Sequence, residues 1–159
     1  AAAATSCHAP ITTDANDRLM ATLVKPAPIQ LSIETPADLE TSWAALTDPD
    51  RVTEWFTDVS SLGAPGDPYR IDFGDSSVDG VIVDVQPGRK FAYTWRWEGA
   101  DPEEQTLVAW SIDAVGDDGT RISLEHTGWP PTTRDDTARD DHAGYWQAYL
   151  EDLEALLAG

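Results

Sequence analysis

A single cysteine, Cys7, occurs in the 159 residues, so no disulfide closes within the chain. With only His8 beside it, no zinc-type ligand spacing exists either. Lysine occurs only at Lys25 and Lys90, and 10 basic residues face 29 acidic ones for a formal net charge of -19. Such a field repels phosphate backbones and anionic headgroups, which makes nucleic acid and membrane surfaces poor partners. Its plainest reading is solubility. No apolar run is long enough to cross a bilayer, so no membrane insertion is expected. Residues 1–19 also lack the basic-then-apolar order of a secretory signal, so the expected location is cytoplasmic. The chain contains no Gly-x-Ser-x-Gly elbow and no phosphate loop. Neither a metal nor a cofactor is expected.

Residues 1–25 read as a flexible leader. Ala1 to Ala4 are of low complexity, and the only methionine, Met20, is a candidate native start. The region 26–159 reads as one domain, large enough to bury its own core. Ile29 to Glu34 alternate apolar and polar, the period of a half-buried strand. Thr35-Pro36-Ala37-Asp38 offers a hydroxyl cap, a proline at the first helical position and an acid at the third, so a helix is expected from there with Leu39, Trp43 and Leu46 on one face. A second short helix is expected from Asp48-Pro49, carrying Val52, Trp55 and Phe56.

Beyond Gly63 to Pro68 the period switches from helical to alternating. Tyr69, Ile71 and Phe73 share a face, followed by Val81, Val83 and Val85, then Phe91, Tyr93, Trp95 and Trp97. Val108, Trp110 and Ile112 follow, and Gly116-Asp117-Asp118-Gly119 turns the chain back into Ile122, Leu124 and His126. Last comes a helix from about Thr137 to Leu157, with acids in its first turns and Trp146, Leu150, Leu153 and Leu157 at helical spacing. The expected fold class is α+β: a curved antiparallel sheet wrapped around a long C-terminal helix, with two short helices between the first and second strands.

Five motifs occur in order: Trp43-Ala44-Ala45-Leu46-Thr47-Asp48-Pro49, Trp55-Phe56, Tyr93-Thr94-Trp95, Leu124-Glu125-His126-Thr127-Gly128, and Gly144-Tyr145-Trp146 with Leu150. From about Ile29 to Leu157 the chain resembles the START-like (SRPBCC) helix-grip superfamily, nearest the branch named for the activator of the ninety-kilodalton heat-shock protein's ATPase. The resemblance implies the helix-grip fold and leaves function open, because members include lipid carriers, polyketide cyclases and chaperone regulators. A similar branch sits in antibiotic biosynthetic clusters and protects producers from enediyne compounds.

The residues themselves point to an apolar, aromatic or polycyclic small molecule held between sheet and last helix. The 14 aromatics (7 Trp, 4 Tyr, 3 Phe) fall largely on inward faces, and aromatic walls hold flat ligands. Expected lining residues are Trp43, Phe56, Phe73, Tyr93, Trp95, Trp110, His126, His142, Trp146 and Tyr149. Plain core packing is the competing reading, foremost for Trp43 and Trp55. His126 is the one ionisable side chain expected to point inward from a strand. It is the candidate catalytic base or ligand anchor, and equally a buried histidine satisfied by its neighbours. His142 either meets it across the cavity mouth or is solvated. Asp84, Asp113 and Glu125 fall on outward faces, which leaves no inward carboxylate pair. Binding without catalysis is therefore the leading expectation; antibiotic sequestration, a cyclase or aromatase activity and regulation of a chaperone ATPase are the alternatives.

Overall fold

The structure, a computed structural model, describes residues 23–60, 62–133 and 135–159. The expected leader lies outside the described residues as far as residue 22. Its last residues do not fit that expectation: Leu23–Val24 form a short strand, β1, paired with Thr132–Thr133, β9.

The main sheet has seven antiparallel strands in the order β2-β8-β7-β6-β5-β4-β3. They are β2 (Ile29–Thr35), β3 (Asp58–Val59), β4 (Pro68–Asp72), β5 (Ser77–Gln86), β6 (Lys90–Trp97), β7 (Thr106–Val115) and β8 (Gly119–Thr127). Two short helices, α1 (Leu39–Thr47) and α2 (Pro49–Val52), connect β2 to β3, and the long helix α3 (Ala138–Ala158) closes the chain. The expected strands and helices occur in the expected order, and the short strands β1, β3 and β9 are additions to it.

Local chemistry explains the boundaries. Asp38, not Thr35, caps α1: its Oδ1 accepts the Thr41 N–H at 2.7 Å, while the Thr35 hydroxyl accepts the Ala37 N–H at 3.2 Å in a turn before the helix. Pro36 therefore precedes the helix, and the observed cap lies three residues after the expected one. Leu46 is buried as expected, whereas Leu39, on the same face one heptad earlier, is 38% exposed because it is the first residue of the helix. At α3, the Asp136 carboxylate accepts the Ala138 N–H at 2.8 Å, and Asp140 and Asp141 sit in the first turn against the positive end of the helix dipole.

The β5 reading needs a correction. Val78 and Ile82 are buried, whereas Val81 and Val83 are exposed. A β-bulge between Ile82 and Asp84 inserts Val83 as an extra residue opposite β6, so Val85 returns to the core side with changed parity. Strict alternation could not see that slip. The bulge sits mid-strand, where it adds bend to the sheet. Gly80 permits a second close approach: Tyr69 lies over it and donates its hydroxyl to the Thr94 carbonyl.

The core lies between the concave face of the sheet and the helices. Phe91, Tyr93, Trp95, Val108, Trp110, Ile112, Ile122 and Leu124 meet Trp146, Leu150 and Leu153 of α3, all buried. Fully burying one such leucine contributes about 1.5–3 kcal/mol, so α3 is held by its apolar stripe and not by helix propensity alone.

Candidate functional site

Two hollows lie on the concave face, and the expected ligand residues divide between them. The outer one, about 260 Å³, opens between β6 and α3 and is lined by Phe56, Phe73, Ser76, Trp95, Trp97, His142, Tyr145, Trp146 and Tyr149. A smaller, inner hollow of about 50 Å³, itself partly open to the surface, lies under α1 and α2, against Tyr93, Trp110, Ile82 and Trp55. Phe56 borders both. Of the expected lining set, Phe73, Trp95, His142, Trp146 and Tyr149 meet at the outer hollow, and Tyr93 and Trp110 face the inner one. Trp43 borders neither; its ring packs edge-on against Phe91, with centroids 5.5 Å apart. Reasoning from the sequence omitted Trp97, Ser76 and Tyr145. Trp97 was legible as the next residue on the Trp95 face, and Tyr145 as a 64% exposed aromatic beside Trp146 on α3.

His126 also borders neither hollow. It is fully buried on β8 and belongs to a closed hydrogen-bonded chain. An indole N–H only donates, so the Trp146 Nε1–H, 3.0 Å from His126 Nδ1, makes Nδ1 the unprotonated nitrogen. Nε2 then carries the hydrogen and donates to Thr106 Oγ1 at 2.6 Å, and that hydroxyl in turn donates to the Trp95 carbonyl at 3.3 Å. Burial pushes the His126 imidazole down to about 3, with His142 adding to the effect. A ring held neutral with both nitrogens engaged ties β8, β7 and α3 together and has no lone pair free to take a proton. Of the two readings of this residue, the geometry matches the satisfied buried histidine.

His142 carries the opposite tautomer. Its Nε2 accepts the Trp97 Nε1–H at 2.9 Å, and its Nδ1–H donates to the Ala138 carbonyl at 2.6 Å. Burial lowers its pKa, opposed by the bond to Ala138. Trp129 packs against both imidazoles, with centroids 4.5 Å from His126 and 5.0 Å from His142, and donates its own N–H to the His126 carbonyl at 3.0 Å. The result is a rigid wall of indoles and neutral imidazoles behind the outer hollow.

Tyr93 accepts the Trp110 Nε1–H at 3.0 Å, and burial raises its phenol above the ordinary value. Burial raises Tyr149 as well. Neither phenol ionises near neutral pH. Among the hydrogen-bonding groups of this wall, Trp95 Nε1 stands out: it is buried and has no partner. Trp95 itself is 4% exposed and borders the outer hollow. Such a donor costs stability until an acceptor reaches it. On the far side of Trp95, Trp97 and His142, a further hollow of about 380 Å³ is rimmed by Asp101, Glu103, Glu104 and Asp136.

Sheet, helices and hollow together define a helix-grip domain. Residues 36–158 match the family described as Activator of Hsp90 ATPase homolog 1-like protein, and the chain belongs to that family. No curated protein matches the sequence. Among solved structures, the Mesorhizobium loti protein MLL2253 is 25% identical with a TM-score of 0.73, over 82% of this chain and 96% of that one. DynU16, a protein of the dynemicin biosynthetic locus, is 24% identical with a TM-score of 0.72 over 83% of this chain. This chain spans only 48% of DynU16, about half its length. The Aha1 dimer from Colwellia psychrerythraea is 23% identical with a TM-score of 0.69, over 84% of this chain and 97% of that one. These likenesses establish the fold. Among the described residues no helix is long and apolar enough to cross a membrane.

Proposed function

We propose that this domain binds a flat, apolar, aromatic or polycyclic small molecule in the outer hollow between β6 and α3. The observation that carries the proposal is a cavity walled on several sides by aromatic rings, those of Phe56, Phe73, Trp95, Trp97, Trp146 and Tyr149. Apolar burial and ring stacking supply the affinity. At about 260 Å³ the hollow lies just under the usual lower bound of small-molecule sites, about 300 Å³, which favours a compact ring system. The engaged, neutral state of His126 favours binding over acid–base turnover.

Sequestration of an antibiotic-type polycycle is the finer form of this reading, supported by the fold shared with a protein of the dynemicin locus. Titration with 6-propionyl-2-dimethylaminonaphthalene, a neutral bicyclic dye carrying a carbonyl, tests the site. Dye emission shifts blue on binding, and Tyr149→Ala and Trp95→Phe each weaken it severalfold. Unshifted emission at saturating protein, or affinity unchanged in both variants, would overturn the proposal.

A further inference from the structure

We infer that Phe56 is a movable partition whose displacement joins the two hollows, so that the inner void receives a short alkyl or acyl tail projecting from the ring system bound outside. This inference rests on the proposed binding reading and adds the shape of the ligand to it. Four aromatic side chains stand at the seam between the hollows: Trp55, Phe56, Trp110 and Trp146. Three are pinned by hydrogen bonds from their indoles. Trp55 donates to the Ala45 carbonyl at 2.7 Å, Trp110 to the Tyr93 hydroxyl at 3.0 Å, and Trp146 to His126 at 3.0 Å. Moving any of them strands a buried polar group.

Phe56 has no such anchor. Its ring is held by packing without a hydrogen bond, against Tyr149 at 4.7 Å, Trp55 at 5.3 Å, Trp146 at 5.4 Å and Phe73 at 5.5 Å between centroids. It is half-buried and lies in the turn after α2, outside any regular element, so a rotamer change toward solvent disturbs no backbone pairing. Phe56 is therefore the cheapest element of the seam to move. The inner void is small, about 50 Å³, and its lining is mostly apolar: Leu46, Val52, Val59, Leu62 and Ile82 take part. A void of that size accepts a few methylenes and rejects a second ring. The ligand class is thus a compact flat ring system with a short aliphatic tail.

The test compares the 6-propionyl dye with its 6-hexanoyl homologue, which share a fluorophore and differ by three methylenes. The readout is the ratio of their affinities for each protein. Phe56→Ala opens the seam and is expected to raise the hexanoyl preference on the order of tenfold, the worth of roughly two further buried methylenes at about fourfold each. Val59→Phe fills the inner void from β3 and is expected to abolish the preference seen in the unmodified protein. Phe56→Leu, with thermal melts for every variant, replaces Phe56→Ala if the latter does not fold. A ratio that stays at its unmodified value in all folded variants while both dyes bind would overturn the partition and leave the binding site standing. Failure of both dyes to bind any of the proteins would overturn both.

Discussion

The indole of Trp146 on α3 donates its N–H to Nδ1 of His126 on β8 at 3.0 Å, and through that one bond the last helix dictates which nitrogen of a fully buried imidazole carries the proton. Trp97 does the same for His142, with the opposite outcome. Long-range proton–nitrogen correlation spectra should therefore show the Nε2–H tautomer for His126 and the Nδ1–H tautomer for His142, both neutral at pH 7. His126→Ala leaves Trp146 Nε1 unpaired and takes from Thr106 Oγ1 the bond it accepts, beside a new cavity, and is expected to cost about 3–5 kcal/mol in denaturant unfolding. A cost below 1 kcal/mol would contradict the tie assigned to this ring.

Acid should expose the same residue. Burial holds folded His126 at about 3, against 6.5 for the free side chain, so the unfolded chain binds more protons between those values. The contribution from this depressed pKa is whole above about pH 6.5 and is lost progressively as pH falls toward 3, on the order of a few kcal/mol in total. Charge repulsion among the acidic residues weakens over part of that range and acts oppositely, so the informative quantity is a difference. His126→Gln should flatten the pH dependence of unfolding free energy between pH 6.5 and 4 relative to the unmodified protein; identical slopes would contradict the prediction.

Trp95→Phe should weaken both stability and binding. Trp95 is 4% exposed and packs against Phe73, Tyr93, Trp97 and Trp146, so the smaller ring leaves a cavity that is expected to cost about 1–3 kcal/mol in denaturant unfolding, offset in part by removal of a buried donor that has no partner. Affinity for the dye should fall severalfold, because the indole forms part of the wall of the outer hollow. Stability and affinity both unaltered would contradict the packing assigned to this indole.

Gly80→Ala should act through the sheet and not the site. A Cβ built there lies 2.2 Å from the Thr94 carbonyl oxygen and 2.6 Å from Tyr69 Cε1, so the Tyr69 ring has to leave its seat over the strand. Overpacking of this kind costs about 1–3 kcal/mol. Equilibrium unfolding should show that loss, accompanied by a near-ultraviolet dichroism change from the Tyr69–Tyr93 pair, whose rings are 4.8 Å apart. An unaltered dichroism spectrum at unaltered stability would contradict it.

Periodicity alone determined the long elements of this protein and their order, because alternation and helical spacing are local properties that burial imposes on the chain; the two-residue strands β1, β3 and β9 are too short to carry a period. Ile122, Leu124 and His126 on one face of β8, and Trp146, Leu150 and Leu153 on one stripe of α3, could be placed without coordinates. Parity failed at β5, where the bulge at Val83 depends on the partner strand and leaves no mark on the pattern of apolar residues. The site divided in the same way. That aromatics would gather under α3 was legible from their faces. Which of them are sealed as core and which border open space was decided only by tertiary packing, since that depends on how far a curved sheet and a helix fail to meet. For His126 the decision was sharper still. A histidine on an inward face is equally compatible with a base and with a buried link, and only the indole of Trp146, 20 residues away in sequence, makes it the second.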